Sequence, residues 1–262
     1  MSVDLELRYL AKSIESGQSW PRPRCPACGS GHIRFGVPEE SEGYASASAR
    51  DHPAFEPDWV EGTFLIRGQC ENPNCAQVVH GTGDYRVDDA RDSVPFDPHY
   101  QLGPPYSSYY RVVHLHPAML LMSIPESAPT EVRDGVLRAS RVVFADPGVA
   151  ATALRATVER LLTFEGVPST DASGRFFNAH RRIQTWRDAN ASRIPVAELL
   201  FAVKWLGNAG THEDSSLSVL DVLDGASLLD EAFHRIYTGP DIDARAQSIN
   251  TARGPSRPAS RN

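Results

Sequence analysis

The apolar residues in the second half of the chain recur at helical spacing. From Thr130 onward they fall three and four positions apart, a period that predicts amphipathic helices rather than strands. Start signals support this, since Asp146 precedes Pro147 and Ser218 lies three residues before Asp221. The predicted helices cover residues 131–145, 147–165, about 175–190, 195–206 and 218–237. The fourth is apolar almost all round, which is typical of a helix at the centre of a bundle.

Two details of these helices can be checked in a structure. Thr130 is expected to cap the first helix, and Gly166 to end the second. The third helix is expected to bury Phe176, Ile183 and Trp186.

The first half of the chain has shorter apolar runs. Residues 3–14 predict a short helix with Ser2 as its cap. Alternating runs between Gly, Pro and Asn predict strands at 32–37, 64–69, 78–80, 85–87 and 109–115. The acidic stretch Pro38–Glu61 has no period and predicts a long loop, and residues 238–262 predict a disordered polar tail.

Composition narrows the class of protein. The 262 residues carry a net charge of −7, with the acidity concentrated in the first half, so the chain lacks the large basic surface of a protein that coats nucleic acid. No apolar run approaches the ~20 residues of a membrane span, and no secretory signal pattern is present at the N-terminus. We therefore expect a cytoplasmic protein without membrane contact, whose thiols stay reduced.

The four cysteines of the chain occur as two close pairs. Cys25 and Cys28 flank Pro-Ala, and Cys70 and Cys75 flank a four-residue turn that contains Pro73. Two such turns supply the tetrahedron of sulfur ligands that structural zinc prefers. The alternatives are four unrelated buried cysteines, or His80 in place of one thiolate.

Together these patterns predict an α+β fold. A zinc-ribbon-like β module is followed by an all-α bundle of about five helices. The expected divisions are an N-terminal helix (1–20), the zinc-ribbon-like module (21–91), an extended connecting segment (92–127), the helical bundle (128–237) and the tail (238–262).

Polar residues at helical spacing define a second candidate site. Asn208 and His212 are four residues apart after Lys204, and Arg155 and Glu159 are four apart in the second helix. The first pair is either a helix end or a site, and the second is either a solvated ion pair or part of the same polar cluster.

Other polar residues leave similar alternatives. The basic segment 175–193, which includes Arg181 and Arg182, is either the outer face of an amphipathic helix or a nucleic-acid-binding surface. His114 and His116 share one face of a strand, where packing or hydrogen bonding is favoured over metal binding.

The run from about Tyr110 to Tyr237 resembles the bacterial "domain of unknown function 4145". The matching pieces are Pro125-Glu126, the stretch from Leu154 to Glu159, and above all Lys204-Trp-Leu-Gly-Asn-Ala-Gly-Thr-His212. This resemblance implies a HEPN-like antiparallel helical bundle. It further implies a homodimer, a role near restriction, toxin or anti-phage systems, and in some members a metal-independent ribonuclease activity.

The sequence departs from the nuclease pattern of Arg, four to six residues, then His. Positions 205–207, where the Arg would precede His212, are Trp, Leu and Gly. Arg175 with His180 and Arg111 with His116 have the spacing, but only at the frequency expected by chance.

Two functional hypotheses remain. The first is a non-enzymatic zinc-containing interaction module, accessory or regulatory in bacterial defence or nucleic-acid metabolism, with RNA, DNA or a protein as partner. The second is a HEPN-type endoribonuclease with His212 and Asn208 as catalytic residues. No phosphate-binding loop, dinucleotide glycine pattern, Gly-x-Ser-x-Gly or His-Glu-x-x-His motif is present, which weakens the case for an enzyme in general.

Overall fold

The structure is a computed structural model that describes residues 4–90, 106–211 and 216–252. It is a mixed α+β arrangement in which an antiparallel sheet precedes a helical region, as the sequence predicts. The HEPN-like character of the helical region stays a prediction. None of the helices in these three ranges is long and apolar enough to cross a membrane.

Within the described ranges, six strands form one antiparallel sheet with the order β1-β6-β5-β4-β2, and β3 pairs with β4 beyond the end of β2. The strands are β1 (Ile14–Glu15), β2 (Ile33–Phe35), β3 (Glu39–Glu42), β4 (Glu61–Cys70), β5 (Val78–Asp89) and β6 (Tyr106–His116). Alternation of buried and exposed side chains along β4 places one face of the sheet in the core and the other towards solvent.

The two short runs predicted at 78–80 and 85–87 are a single strand, β5. Gly81 and Gly83, which suggested a turn, lie inside this strand. A Cβ on Gly83 would lie 1.9 Å from the carbonyl oxygen of Arg111, so only glycine allows β6 to approach this closely. The register shifts at Thr82/Gly83, which is the irregularity that a strand glycine often marks.

The prediction of a long loop over Pro38–Glu61 is wrong. This stretch contains β3, the helix α2 (Tyr44–Ala49) and a 3-10 turn at Pro57–Trp59. Residues distant in sequence stabilise β3. Glu40 pairs with Phe64 of β4, and its carboxylate accepts a hydrogen bond from the hydroxyl of Tyr110. A local pattern of hydrophobicity does not contain that information.

The predicted N-terminal helix is shorter than expected. Helix α1 covers Leu5–Leu10, and Asp4, rather than Ser2, accepts the capping hydrogen bond, from the N–H of Glu6. Ile14 belongs to β1 because it pairs with Tyr110 of β6.

In its described residues, the helical region contains the five predicted helices and one more. These are α3 (Thr130–Val142), α4 (Pro147–Phe164), α5 (Ala179–Asp188), α6 (Ile194–Ala209), α7 (Val219–Phe233) and α8 (Gly239–Ala252). The cap at Asp146, the capping box of Ser218 and Asp221, and the contacts of apolar α6 with α4, α5 and α7 are as predicted.

Three expectations about the helices are wrong. Thr130 is the first helical residue of α3, and the cap position is Pro129. Helix α5 begins late because Asn178 caps it, so Phe176 lies in the preceding loop with 81% of its surface exposed. The predicted disordered tail contains α8, which continues α7 through a π-helical segment at His234–Thr238.

Sheet and helices share one hydrophobic core. Helix α1 adds Leu7 and Leu10 to this core, and its Arg8 forms an ion pair of 2.6 Å with Asp224 of α7. The sheet draws strands from both sides of the predicted boundaries at 20/21 and 91/92. The described part of the predicted connecting segment therefore includes β6, an integral strand, rather than a simple linker.

Candidate metal centre and polar cluster

The four cysteine sulfurs converge at one end of the sheet. Their Sγ atoms all lie within 4.8 Å of one another. Two of these distances are 3.7 Å, from Cys25 to Cys75, and 3.8 Å, from Cys28 to Cys70. A tetrahedral zinc ion with Zn–S bonds of about 2.3 Å separates its sulfur ligands by about 3.8 Å, so the cluster has the size that this ion requires.

The backbone around the first pair forms a tight turn before β2. The N–H of Cys25 donates to the carbonyl of Gly31 at 2.7 Å, and the N–H of Gly29 donates to the carbonyl of Cys25 at 2.9 Å. Gly29 has a φ of +65°, a left-handed conformation that favours glycine. The sequence Cys-Pro-Ala-Cys-Gly therefore specifies this turn locally.

Of the second pair, Cys70 is the last residue of β4 and Cys75 lies in the turn before β5, and this pair packs directly on the first. A Cβ on Gly31 would lie 2.6 Å from the Sγ of Cys70 and 2.9 Å from the Cβ of Asn72. The N–H of Gly31 also donates to the Sγ of Cys28 at 3.4 Å. Glycine at this position thus permits the approach of the two turns.

The protonation of the thiols is uneven. Hydrogen bonds, chiefly from the backbone N–H of Gly31 and then from Ser30, lower the pKa of Cys28 to about 5. Burial raises the pKa of Cys70 to about 12. A bound cation would favour the thiolate form of the buried Cys70.

His80, the alternative zinc ligand, is not a member of this cluster. It is exposed on β5, where it pairs with Arg67 of β4 and His116 of β6. Within the described ranges, the cluster with metal-binding geometry consists of the four cysteines alone.

The polar residues predicted on two different helices do come together. Nη1 of Arg155 on α4 donates to Oδ1 of Asn208 on α6 at 2.8 Å, and Nε of the same arginine lies 3.4 Å from Glu159. The close approach depends on Gly207, because a Cβ there would lie 2.4 Å from the Cβ of Arg155. We call Arg155, Glu159, Lys204 and Asn208 the helical polar cluster.

Lys204 is the most unusual member of this cluster. It is 7% exposed, and within the described part of the chain its ammonium group has neither a hydrogen bond nor an ion pair. Its Nζ lies 3.0 Å from the centroid of the Trp205 ring. Burial, and then repulsion from Arg155, lower the pKa of Lys204.

His212 lies outside the described residues. Its relation to Asn208 and to the helical polar cluster therefore stays a prediction.

The two adjacent arginines of α5 have different surroundings. Arg182, 3% exposed, donates to the carbonyls of Glu159 and Val167 and to the hydroxyl of Thr163, so it lies in the interior and is not available to a ligand at the surface. Arg181 is exposed, with its guanidinium 4.0 Å from the centre of the Phe177 ring. Of this pair only Arg181 lies at the surface, and its role in binding stays a prediction.

One residue near the cluster was missed. The ring of His180 on α5 packs 4.9 Å from that of Phe201 and 6.2 Å from that of Trp205, measured between centroids, and Trp205 is itself 57% exposed. Nδ1 of His180 is buried and lacks a hydrogen bond to any described residue. The sequence signal for His180 was its spacing from Arg175, and that spacing does not predict the contacts of His180 with Phe201 and Trp205 of α6.

Two family models match the chain. The model of one family, described as a domain of unknown function (DUF8608), matches residues 14–107, which include the four cysteines. The model of a second, described as a domain of unknown function (DUF4145), matches residues 137–252. No curated protein and no solved structure matches the chain. The second match agrees with the predicted resemblance from 137 to 237, and it extends into α8 but does not reach Pro125-Glu126.

Proposed function

We propose that this chain is a zinc-containing binding protein that uses its helical polar cluster to hold a phosphate-bearing ligand. Its role would be accessory or regulatory, in bacterial defence or nucleic-acid metabolism, in a cytoplasmic homodimer. The observation that carries the ligand proposal is Lys204, a 7% exposed residue whose ammonium has no anionic partner among the described residues.

The zinc ion would be held by Cys25, Cys28, Cys70 and Cys75. Four thiolates complete its coordination, so the ion would stabilise the fold and offer no position to a substrate. Protein purified without chelator should contain about one zinc per chain, and Cys28→Ser with Cys70→Ser should abolish it. Less than about half an equivalent in the unmodified chain would contradict this part of the proposal.

The ligand proposal follows from charge. A partly desolvated cation without a counter-charge is costly, and Arg155 beside Lys204 adds a second positive charge. Glu159 partly offsets Arg155, but nothing described offsets Lys204. A phosphate group would supply the missing negative charge and accept from the ammonium, the guanidinium and the Asn208 amide.

The experiment uses the only two lysines of the chain. Lys204→Met should weaken binding of a labelled single-stranded RNA by at least about tenfold in fluorescence anisotropy. Lys12→Met removes the same charge from the other lysine and should leave binding unchanged. Equal affinities of the two variants would overturn the assignment of the ligand to this cluster.

The same substitution has a second readout. Replacing this partly desolvated ammonium by an apolar side chain should raise the free energy of unfolding by up to about 1 kcal/mol in Lys204→Met. A gain in stability together with a loss of binding would indicate a residue retained for its ligand rather than for the fold.

The alternative function is a HEPN-type, metal-independent ribonuclease with His212 as general acid or base. The Arg155–Asn208 hydrogen bond favours this activity. It brings Arg155 next to Asn208, close to positions 205–207, where the nuclease motif would have an arginine and this sequence has none. RNA cleavage in EDTA that His212→Ala abolishes would support it. Zinc content must be measured after the assay, so that inactivity through loss of the structural ion can be recognised.

A further inference from the structure

We propose that three histidines on the solvent-facing side of the sheet, His80, His114 and His116, bind one divalent transition-metal ion. We call these three residues the histidine triad. The site is separate from the four-cysteine cluster and from the helical polar cluster, and it does not depend on the proposed function.

The sheet register supplies a third ligand that the local sequence lacks. His114 and His116 by themselves offer only two imidazoles, which is why their spacing on one strand disfavoured a metal site. His80 lies far away in sequence, on β5, and it pairs with His116 of β6. His114 pairs with Thr82 on the same side of the register shift, so the three histidines face the same side of the sheet.

The separations within the triad suit a shared metal ion. Residues directly opposite in antiparallel strands, such as His80 and His116, have Cβ atoms about 4.5–5.5 Å apart, and diagonal neighbours such as His80 and His114 are about 7–8 Å apart. His114 and His116 are about 7 Å apart along β6. Rings that lean towards one another from these positions can bring their nitrogens to a separation of about 3.4 Å, as a tetrahedral ion with Zn–N bonds of about 2.0–2.1 Å requires.

The imidazoles are free to turn towards a common ion. Within the described ranges, only the four thiols have their ligand atoms gathered within 4.8 Å, so metal binding requires the histidine rings to rotate about χ1 and χ2. All three side chains are exposed, and among the described residues their rings take part in no hydrogen bond, ion pair or ring contact. The rotation therefore breaks no interaction, and its cost is the rotamer freedom of three surface side chains.

Three imidazoles select the class of ion. They suit Zn²⁺, Cu²⁺ and Ni²⁺ rather than Mg²⁺ or Ca²⁺, which prefer oxygen ligands. Three protein ligands also leave one coordination position open, unlike the four thiolates of the cysteine cluster. A depression of about 550 Å³, lined in part by His114 and His116, gives water access to that position.

The neighbouring charges limit the affinity. Arg141 of α3 lines the same depression, and Arg67 of β4 pairs with His80, so two positive side chains lie near the ion. Their repulsion opposes the binding of a cation. We therefore expect a dissociation constant on the order of micromolar, weaker than that of a closed structural zinc site.

The test begins with the chain whose four cysteines already hold zinc. Isothermal titration with Zn²⁺ should then show one further ion per chain, and His80→Gln and His116→Gln should each weaken its binding by at least about tenfold. The control is His52→Gln, an exposed histidine whose ring packs on Trp59, and it should change the affinity less than about twofold. Mg²⁺ at the same concentration should give no binding.

Three results would overturn the histidine triad. The first is a zinc-loaded chain that binds no further Zn²⁺ with a dissociation constant below about 100 µM. The second is an equal loss of affinity in His52→Gln and His80→Gln. The third is half an ion per chain, with dimers that form only when Zn²⁺ is added, because the ion would then join two copies instead of three histidines of one chain.

The variants are compared only after their fold has been checked. Each should show the circular dichroism of the unmodified chain and one zinc ion per chain before the titration. Since the substituted side chains are exposed and lie outside the four-cysteine cluster, we expect all three variants to meet both conditions.

Discussion

Gly31 shows how a single hydrogen in place of a methyl group can decide whether a metal centre forms. Its missing Cβ leaves the space into which Cys70 and Asn72 of the second turn fit. Its N–H donates to Cys28, so the residue both admits one sulfur ligand and orients another.

Gly31→Ala should therefore weaken zinc retention by at least about tenfold, measured by competition with a chromogenic chelator. The matched control is Gly36→Ala, where the nearest atom to a new Cβ is the carbonyl oxygen of Arg67 at an ordinary 3.5 Å. Similar zinc retention in the two variants would show that the turns can separate without loss of the site.

The ligands themselves were predictable from sequence, whereas Gly31 was not. The spacing of the cysteines in two close pairs predicted a metal site, and the structure brings all four together. The contact between Gly31 and Cys70 joins turns on different strands, so no local spacing contains it. For Arg182 the sequence-based prediction was wrong. Its charge predicted a surface residue, whereas the side chain is buried and donates hydrogen bonds inside the protein.

At the scale of elements, α4 and α5 are joined by the side chain of Arg182. Its guanidinium donates to the Glu159 carbonyl at 3.1 Å, the Thr163 hydroxyl at 2.8 Å and the Val167 carbonyl at 2.9 Å. These acceptors lie in the last turns of α4 and in the loop just beyond it, so the one side chain of α5 fixes the end of α4.

Arg182→Met should lower the free energy of unfolding by about 2–4 kcal/mol, because buried acceptors lose their donors. Arg181→Met, one position away and exposed, should cost less than about 1 kcal/mol. Urea denaturation followed by circular dichroism measures both. Equal losses would mean that the interior position of Arg182 contributes nothing specific.

The start of α7 gives a prediction that depends on pH. The hydroxyl of Ser218, and then its N–H, donate to the Asp221 carboxylate and lower its pKa. Because the folded pKa lies below the unfolded value, this stabilisation is present above the unfolded value, near pH 4, and is lost as pH falls through the folded pKa.

Asp221→Ala should therefore cost about 1 kcal/mol at neutral pH, and the difference from the unmodified chain should shrink towards about pH 3. Asp51→Ala, at an exposed turn, provides the control and should cost little at either pH. A loss for Asp221→Ala that does not change with pH would contradict a role for the ionised carboxylate, because alanine itself has the higher helix propensity.

Elements with local signals were the predictable ones. Asp146 before Pro147, and Ser218 with Asp221, identified the starts of α4 and α7 from sequence alone. β3 and α2 were missed because their order depends on β4 and on Glu42, which accepts from Ser46 and Arg50. Helix α8 was missed because its sequence, between Gly239 and Ala252, lacks an apolar stripe.

At the scale of the whole molecule, the sheet and the helices are not independent bodies. A common core and the Arg8–Asp224 ion pair connect them. The sequence predicted separate divisions at 20/21 and 91/92, because changes in composition mark loops and not the pairing of β1 with β6 or of β6 with β5.

This connection predicts cooperative unfolding. Heating the zinc-loaded chain should give one transition, with loss of helical circular dichroism and release of zinc at the same midpoint. Zinc release more than roughly 10 °C below the loss of helix would show that the sheet unfolds on its own.

The contact between α1 and α7 also has a consequence for the order in which the chain is made. Arg8 and its hydrogen-bond partner Ser227 are 219 positions apart, a distance that a ribosome covers in on the order of ten to forty seconds. During that interval Leu7 and Leu10 have emerged, but α7 has not yet been synthesised. The apolar residues of α1 therefore stay unburied until α7 has been synthesised. During this time we expect nascent chains to bind chaperones or to aggregate.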